Sequence, residues 1–250
     1  MRERLFGAAH DAGAAVVFLT RLPLPWHVPD FDARLGRSAP WFPLVGVLVG
    51  AIGALVWWIG ITLWNPAIGA LLAVAATVLA TGAFHEDGLA DSFDGLGGSA
   101  ERERALAIMK DSRLGAYGAV ALMLVLAGRV LALTALGGAA AAALVGGHAL
   151  ARCATLPLLR WLPYARADGG TGQPFAGGVS LPALSSAVIA TFVLTWILWG
   201  GAALAAWAAC AAVVLVFAGW CRRRLGGITG DTLGASNQLA ELAVYLALAI

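Results

Sequence analysis

Residues 38–85 read SAPWFPLVGVLVGAIGALVWWIGITLWNPAIGALLAVAATVLATGAFH, a run of 48 without one Asp, Glu, Lys or Arg. A helix that crosses the hydrocarbon core of a bilayer needs about 20 apolar residues. This stretch therefore holds two passes, with Asn65-Pro66 as the turn between them. Residues 169–221 form a second charge-free run, 53 long, broken at Gly200-Gly201. The composition agrees. Hydrophobic residues are 60% of the 250 and charged residues 12%, against about one-quarter charged in a soluble domain; the mean hydropathy is +0.84. No helix is left a polar face for water, which argues against a large soluble protein with buried helices.

Working outward from these runs, the pattern predicts spans near 43–64, 67–84, 116–136, 139–159, 182–200, 202–220 and 233–250. The fold class is thus all-α: a polytopic membrane bundle of about seven transmembrane helices, one membrane-embedded domain over 1–250. Glycine is frequent, 32 in all, as expected where membrane helices pack closely. Residues 5–19 are moderately apolar but contain His10 and Asp11, and Arg2 and Arg4 precede them. They lack a small-residue cleavage site. An interfacial or re-entrant helix is predicted there, because a span would put the basic start outside. Of the 16 Lys and Arg, Arg129 and Arg152 fall within spans and the other 14 share one side. The positive-inside rule makes that side cytoplasmic, in a prokaryotic cell (inner) membrane. The three cysteines, Cys153, Cys210 and Cys221, have no metal-ligand spacing. A net charge of +2 gives no reason to expect nucleic acid.

The chemistry concentrates where the first charge-free run ends. His85-Glu86-Asp87-Gly88-Leu89-Ala90-Asp91-Ser92-Phe93-Asp94 puts four carboxylates in nine residues. On a helix, Asp87, Asp91 and Asp94 stand at i, i+4 and i+7 and share a face. Like charges so placed repel, and no lysine intersperses them. Mg²⁺ (or Mn²⁺) is the natural counter-charge, since it is bound by one or two carboxylates plus substrate phosphates. A second set, Lys110, Asp111 and Arg113, supplies cations suited to phosphate. Arg102 and Arg104 read as a solvated helix with Glu101 and Glu103, and Arg222-Arg223-Arg224 as a topology anchor. A glycine-rich stretch, Gly226 to Gln238, carries Asp231, Asn237 and Gln238 into the last span, where Glu241 follows. Ionisable residues inside a membrane, here Glu241, Arg129, Arg152 and His148, are functional candidates.

These blocks carry a resemblance. His85-Glu86-Asp87-Gly88-Leu89-Ala90-Asp91 with Asp94-Gly95, then Met109-Lys110-Asp111-Ser112-Arg113 with Gly115, Tyr117 and Gly118, resemble the cobalamin synthase family, the adenosylcobinamide-GDP ribazoletransferases. Phe18-Leu19-Thr20-Arg21-Leu22-Pro23, Pro163-Tyr164-Ala165-Arg166 and Gly230-Asp231 with Gly234-Ala235 and Glu241 match in the same order. The run after Arg166, Ala-Asp-Gly-Gly-Thr-Gly, is less acidic at its start than expected. The resemblance implies a Mg²⁺-dependent membrane transferase acting on small molecules. It joins adenosylcobinamide-GDP to α-ribazole or its 5′-phosphate, giving adenosylcobalamin or its 5′-phosphate and GMP. Chemically, the ribose 3′-hydroxyl would attack the cobinamide-proximal phosphorus. In this setting Glu86, Asp87, Asp91, Asp94 and Asp231 are the expected metal ligands, and Asp94 or His85 the general base. Lys110, Asp111, Arg113, Arg152, Arg166, Asn237, Gln238 and Glu241 are the expected substrate contacts. Membrane lipid is the surrounding partner, and a homo-oligomer is compatible with the sequence. Two alternatives stand beside this. Asp91-x-x-Asp94-Gly95 resembles part of the CDP-alcohol phosphatidyltransferase motif, whose remainder is missing in order. A cation-coupled transporter would use the carboxylates as its ion site, but it needs access from both sides, and the acids cluster at one.

Overall fold

In lipid, a backbone must satisfy its own N–H and C=O groups, and helices do so within one segment. The computed structural model describes residues 2–166 and 169–250, with side chains from Phe6 onward. Ala167 and Asp168, at the start of the run after Arg166, lie outside the described residues. The described chain forms α1 (Arg2–Leu19), α2 (Phe31–Ser38), α3 (Phe42–Leu63), α4 (Pro66–Thr81), α5 (Phe84–Gly98) and α6 (Arg102–Ile108). There follow α7 (Ala116–Leu136), α8 (Ala140–Cys153), α9 (Thr155–Trp161), α10 (Leu181–Trp199), α11 (Ala202–Leu225) and α12 (Gly230–Leu248). No named β-strand occurs among the described residues, and the all-α polytopic bundle is what the charge-free runs predict.

Glycine sets how closely the long helices approach. A Cβ on Gly46 would stand 2.3 Å from the His148 carbonyl oxygen, and one on Gly50 2.4 Å from that of Leu144. Rising numbers on α3 meet falling numbers on α8, so the two are antiparallel. Gly60 against Gly69 joins α3 to α4 in the same way, with 2.6 Å from a built Cβ to the Gly69 Cα. By length and hydropathy four helical runs qualify as spans: 31–63, 116–161, 181–199 and 202–225. The second has 46 residues, roughly 69 Å at 1.5 Å per residue, twice the hydrocarbon core. It is two passes, reversing at Gly137, whose φ of 52° lies in the left-handed region. The four runs thus give five passes, and seven also require α4 and α12, the one shorter and the other carrying polar groups inward.

The predicted span 67–84 ends early. α4 stops at Thr81, and Gly82 (φ 66°) and Ala83 (φ 58°) are both left-handed. α5 then leaves at 90° to α4, so the acidic segment is a helix lying across the basic end of the bundle. We read α5 as outside the spans. α1 is helical as expected and is tied to α2: Arg34 Nη1 lies 2.8 Å from Asp11 Oδ1 and donates to the Gly7 carbonyl at 3.3 Å.

Two arginine assignments change. Arg102 does pair with Glu103 at 3.2 Å. It also donates from Nε to the Leu225 carbonyl at 2.8 Å and from Nη2 to the Ala165 carbonyl at 2.7 Å. Arg224 donates from Nη2 to the carbonyls of Leu96 and Ser99. The carbonyls of Leu225, Leu96 and Ser99 stand at helix C-termini, which lack intrahelical donors, and that of Ala165 lies in the extended segment after α9. A sequence shows the charge but not the carbonyls that will need it.

Candidate active site

α5 and α12 touch where neither has bulk. A Cβ on Gly88 would meet the Asp231 carbonyl oxygen at 2.7 Å and its Cα at 3.1 Å. This contact sets Asp231 beside the turn of α5 that bears Asp87 and Asp91. Asp231 lies in the first turn of α12, whose N-cap is Thr229. The Thr229 side chain accepts from the Thr232 N–H at 3.2 Å, and the Thr232 hydroxyl accepts from the Thr229 N–H at 2.8 Å. A carboxylate in that first turn is favoured by the unpaired N–H groups and the helix dipole. The strand-like pieces at 163–165 and 227–229 run parallel: the Ala165 N–H donates to the Ile228 carbonyl at 2.7 Å, and the Ile228 N–H to that of Pro163 at 2.9 Å. They carry Arg166 to Asp231, with Nη2 2.7 Å from Oδ2. Thr229 Oγ1 also donates to that oxygen, at 3.3 Å.

The four carboxylates of α5 do not share one task. Asp87 is exposed and Asp91 half-buried. Burial pushes the Asp91 carboxyl up to about 7, and the negative charges of Asp87, Asp231 and Asp94 add to this, while Arg166 opposes it. This pocket is short of positive charge. Asp94 turns the other way: its oxygens accept from the Gly115 N–H at 2.7 Å and the Gly118 N–H at 2.8 Å. It caps the start of α7, and glycines at 115 and 118 leave it room. Glu86 points into the bundle, 3.3 Å from Arg129 Nη1, and its Oε2 is buried with no hydrogen-bond partner in the protein. Among the described residues no group of three or more His, Cys, Asp or Glu stands ready-made as a metal cage. The expected five-ligand set is therefore not assembled. Asp87 and Asp91 with Asp231 nearby fit the sparser arrangement of Mg²⁺, which takes one or two carboxylates and completes its shell with water and substrate phosphate.

Behind α5 lies a buried ion network. Arg129 Nη2 is 2.5 Å from Glu241 Oε1, and Nη1 donates to Gln238 Oε1 at 2.8 Å. Glu241 Oε2 is 3.0 Å from His148 Nδ1, and Glu241 Oε1 accepts from the Tyr245 hydroxyl at 2.9 Å. Arg152 Nη1 lies 3.1 Å from His148 Nδ1. Glu241 and Gln238, expected at the substrate, are thus held by Arg129. Arg129 itself was a candidate only by its depth, and its partners on α5 and α12 come together only in the folded chain. Arg152, His85 and Asn237 border a recess next to this network. Arg113 is exposed and engages Asp111, with Nε 3.0 Å from Oδ1; the Arg113 hydrogen bonds hold Asp111 down at about 2. That pair closes a surface turn. Lys110 is exposed just beyond α6.

The model of one protein family, cobalamin-5-phosphate synthase, matches residues 11–249 of the chain. Several relatives carry the name adenosylcobinamide-GDP ribazoletransferase. The one from Leptothrix cholodnii is 48% identical over 93% of this chain and 92% of its own length. That from Albidiferax ferrireducens is 44% identical over 93% and 95%, and that from Rhizobium johnstonii 42% over 96% of each. No solved structure matches.

Proposed function

The chain belongs to the cobalamin-5-phosphate synthase family, and from that premise we propose how it works. It is a transferase of cobalamin biosynthesis, embedded in a membrane, that joins adenosylcobinamide-GDP to α-ribazole to make cobalamin. The observation that carries the site is the meeting of Asp87, Asp91 and Asp231 at the glycine contact between α5 and α12, with Arg166 on Asp231. Neither a transporter nor a CDP-alcohol enzyme is needed to account for that cluster.

Our reading of the step is as follows. The new bond joins the ribose hydroxyl oxygen to the cobinamide-proximal phosphorus. The bond from that phosphorus to the oxygen bridging it to GMP breaks, and GMP leaves with the electron pair. Asp87, Asp91 and Asp231 would hold Mg²⁺, which when bound supplies charge neutralisation at the pyrophosphate. Such transfers depend mainly on positioning and electrostatics. Arg166, held by Asp231 at 2.7 Å, lies close enough to the cluster to bind phosphate oxygens. His85, at the seam of α5 and the recess, takes the hydroxyl proton. Asp94 positions α5 against α7 and touches no substrate. Lys110 and Arg113 would meet phosphate from the surface side, Arg113 exchanging Asp111 for it. The basic end would face the cytoplasm of a prokaryotic cell, as the positive-inside rule requires.

Purified protein in detergent, given adenosylcobinamide-GDP and α-ribazole or its 5′-phosphate, tests this. Stoichiometric GMP and a cobalamin-type product that require Mg²⁺ are expected. Product formation undiminished after complete chelation would remove the metal from the scheme.

A further inference from the structure

Away from the carboxylates, a groove of about 320 Å³ runs between α8 with α9, α10 and α11. Small side chains floor it, Cys153, Ala154, Cys210, Ala211 and Ala218. α10 packs on α8 and α11 on α12, and these small residues leave the gap between the two pairs unfilled. Trp207 closes one end, donating from Nε1 to Thr195 Oγ1 of α10 at 2.9 Å. Trp161, the last residue of α9, stands at the other end and is 66% exposed. Almost no polar surface faces the groove.

The setting decides what fills such a space. Water does not, because it needs two to four polar partners. An empty groove would forfeit the dispersion contacts of its lining. Within the spans the surrounding medium is hydrocarbon. The length matches that medium. Trp207 to Ala218 covers about 16 Å of α11 at 1.5 Å per residue, one leaflet's share of a hydrocarbon core about 30 Å thick. The basic end carries a second mark. Arg222 follows Ala218 by one turn of α11, and a helical side chain leans back toward the N-terminus, here toward Ala218. Arg222 is exposed, and its guanidinium has neither a hydrogen bond nor an ion pair with any described residue. Arg160, next to Trp161, is by contrast committed to the Val179 carbonyl at 2.8 Å. A guanidinium at the membrane surface suits a phosphate, and tryptophan settles at headgroup level.

We propose that this groove is a phospholipid site: one acyl chain lies along Cys153, Cys210 and Ala211 between the two tryptophans, and the headgroup phosphate meets Arg222. Phosphatidylglycerol with a photoreactive diazirine at the tip of one acyl chain, in bilayers holding the purified protein, tests it. A second groove, between α4 and α7 and lined by Leu71, Val78 and Val130, is more open and reports ordinary bilayer contact. After irradiation, peptide mapping should place at least about fivefold more label on the Trp207 groove than on this reference. Equal labelling of the two, or a Trp207 groove left bare as it would be beneath a second copy of the chain, would overturn the assignment. Ala211→Trp fills the groove and should cut its label at least about fivefold, and Arg222→Gln should cut it about threefold, with the reference groove unchanged in both. Undiminished label in Ala211→Trp would overturn the place of the acyl chain, and in Arg222→Gln that of the phosphate. Gel filtration identifies folded variants, and the wild-type map decides the site even where a variant fails to fold.

Discussion

Asp94 and Asp91 lie one turn apart on α5 and have different work to do. The sequence made the acidic stretch legible and grouped Asp87, Asp91 and Asp94 on one face. What it could not show is that Gly115 and Gly118, more than 20 residues later, bring the unpaired N–H groups of α7 onto Asp94. Asp94→Ala should therefore lower stability by about 1–3 kcal/mol, the range for loss of a charged cap. Thermal unfolding in detergent checks this, and turnover at low temperature should survive within about tenfold. Asp91 behaves otherwise. Its carboxyl titrates near 7, against an ordinary value of 3.8, so below that pH it holds a proton and cannot serve a cation. The apparent Mg²⁺ affinity of the reaction should weaken by up to about tenfold per pH unit below 7 and level off above it. Mg²⁺ titrations of GMP release at pH 6, 7 and 8 check the slope, which a flat profile would contradict. The sign for stability follows too. With the folded value above the unfolded one, the metal-free fold loses this group's contribution as pH rises from 3.8 to about 7. The half-exposed position keeps that contribution small.

Among the elements, the apolar helices were the most legible because periodicity and length suffice to find them. Their ends were not. The elbow at Gly82-Ala83 has no Pro to announce it, so the predicted span ran straight on to residue 84. The polar groups of α12 were recognisable as inward-facing, but their partners were not, since Arg129 is more than 100 residues from Gln238 and Glu241. Arg129 ties α7 to α5 and α12 through Glu86, Gln238 and Glu241, and reaches Thr77 of α4 at 3.3 Å. Removing one partner from such a buried set strands the others. Arg129→Met should cost about 3–5 kcal/mol. Adding Glu241→Gln should restore part of it, a coupling that a double-mutant cycle on unfolding in detergent measures. Additive effects would mean the two residues do not share a network.

At the scale of the whole molecule, the proposed orientation rests on the 14 basic residues predicted on one side. The turns at 64–66, 137–139 and 200–201 carry no charge. With the natural cysteines buried, a cysteine placed at exposed Arg222 should react with a membrane-impermeant maleimide only after bacterial cells are opened. One at exposed Gly138 should react in intact cells. The opposite pattern would invert the proposed topology. The contact of Gly88 with Asp231 and the bond of Arg166 to Asp231 bring the acidic helix and the Arg166 loop together, and in the proposed topology both substrates reach them from the basic side.

The most direct measurement is GMP release by Asp91→Asn beside the wild type, at saturating Mg²⁺ and with both proteins shown to be folded. Asp91 is half-buried among like charges, so neutralising it should leave the fold intact or slightly more stable. The account predicts a loss of at least about 100-fold in turnover, as expected when a preorganised charge at the reacting phosphates is removed. Turnover equal to the wild type would contradict the claim that the contact of α5 with α12 is where the reaction occurs.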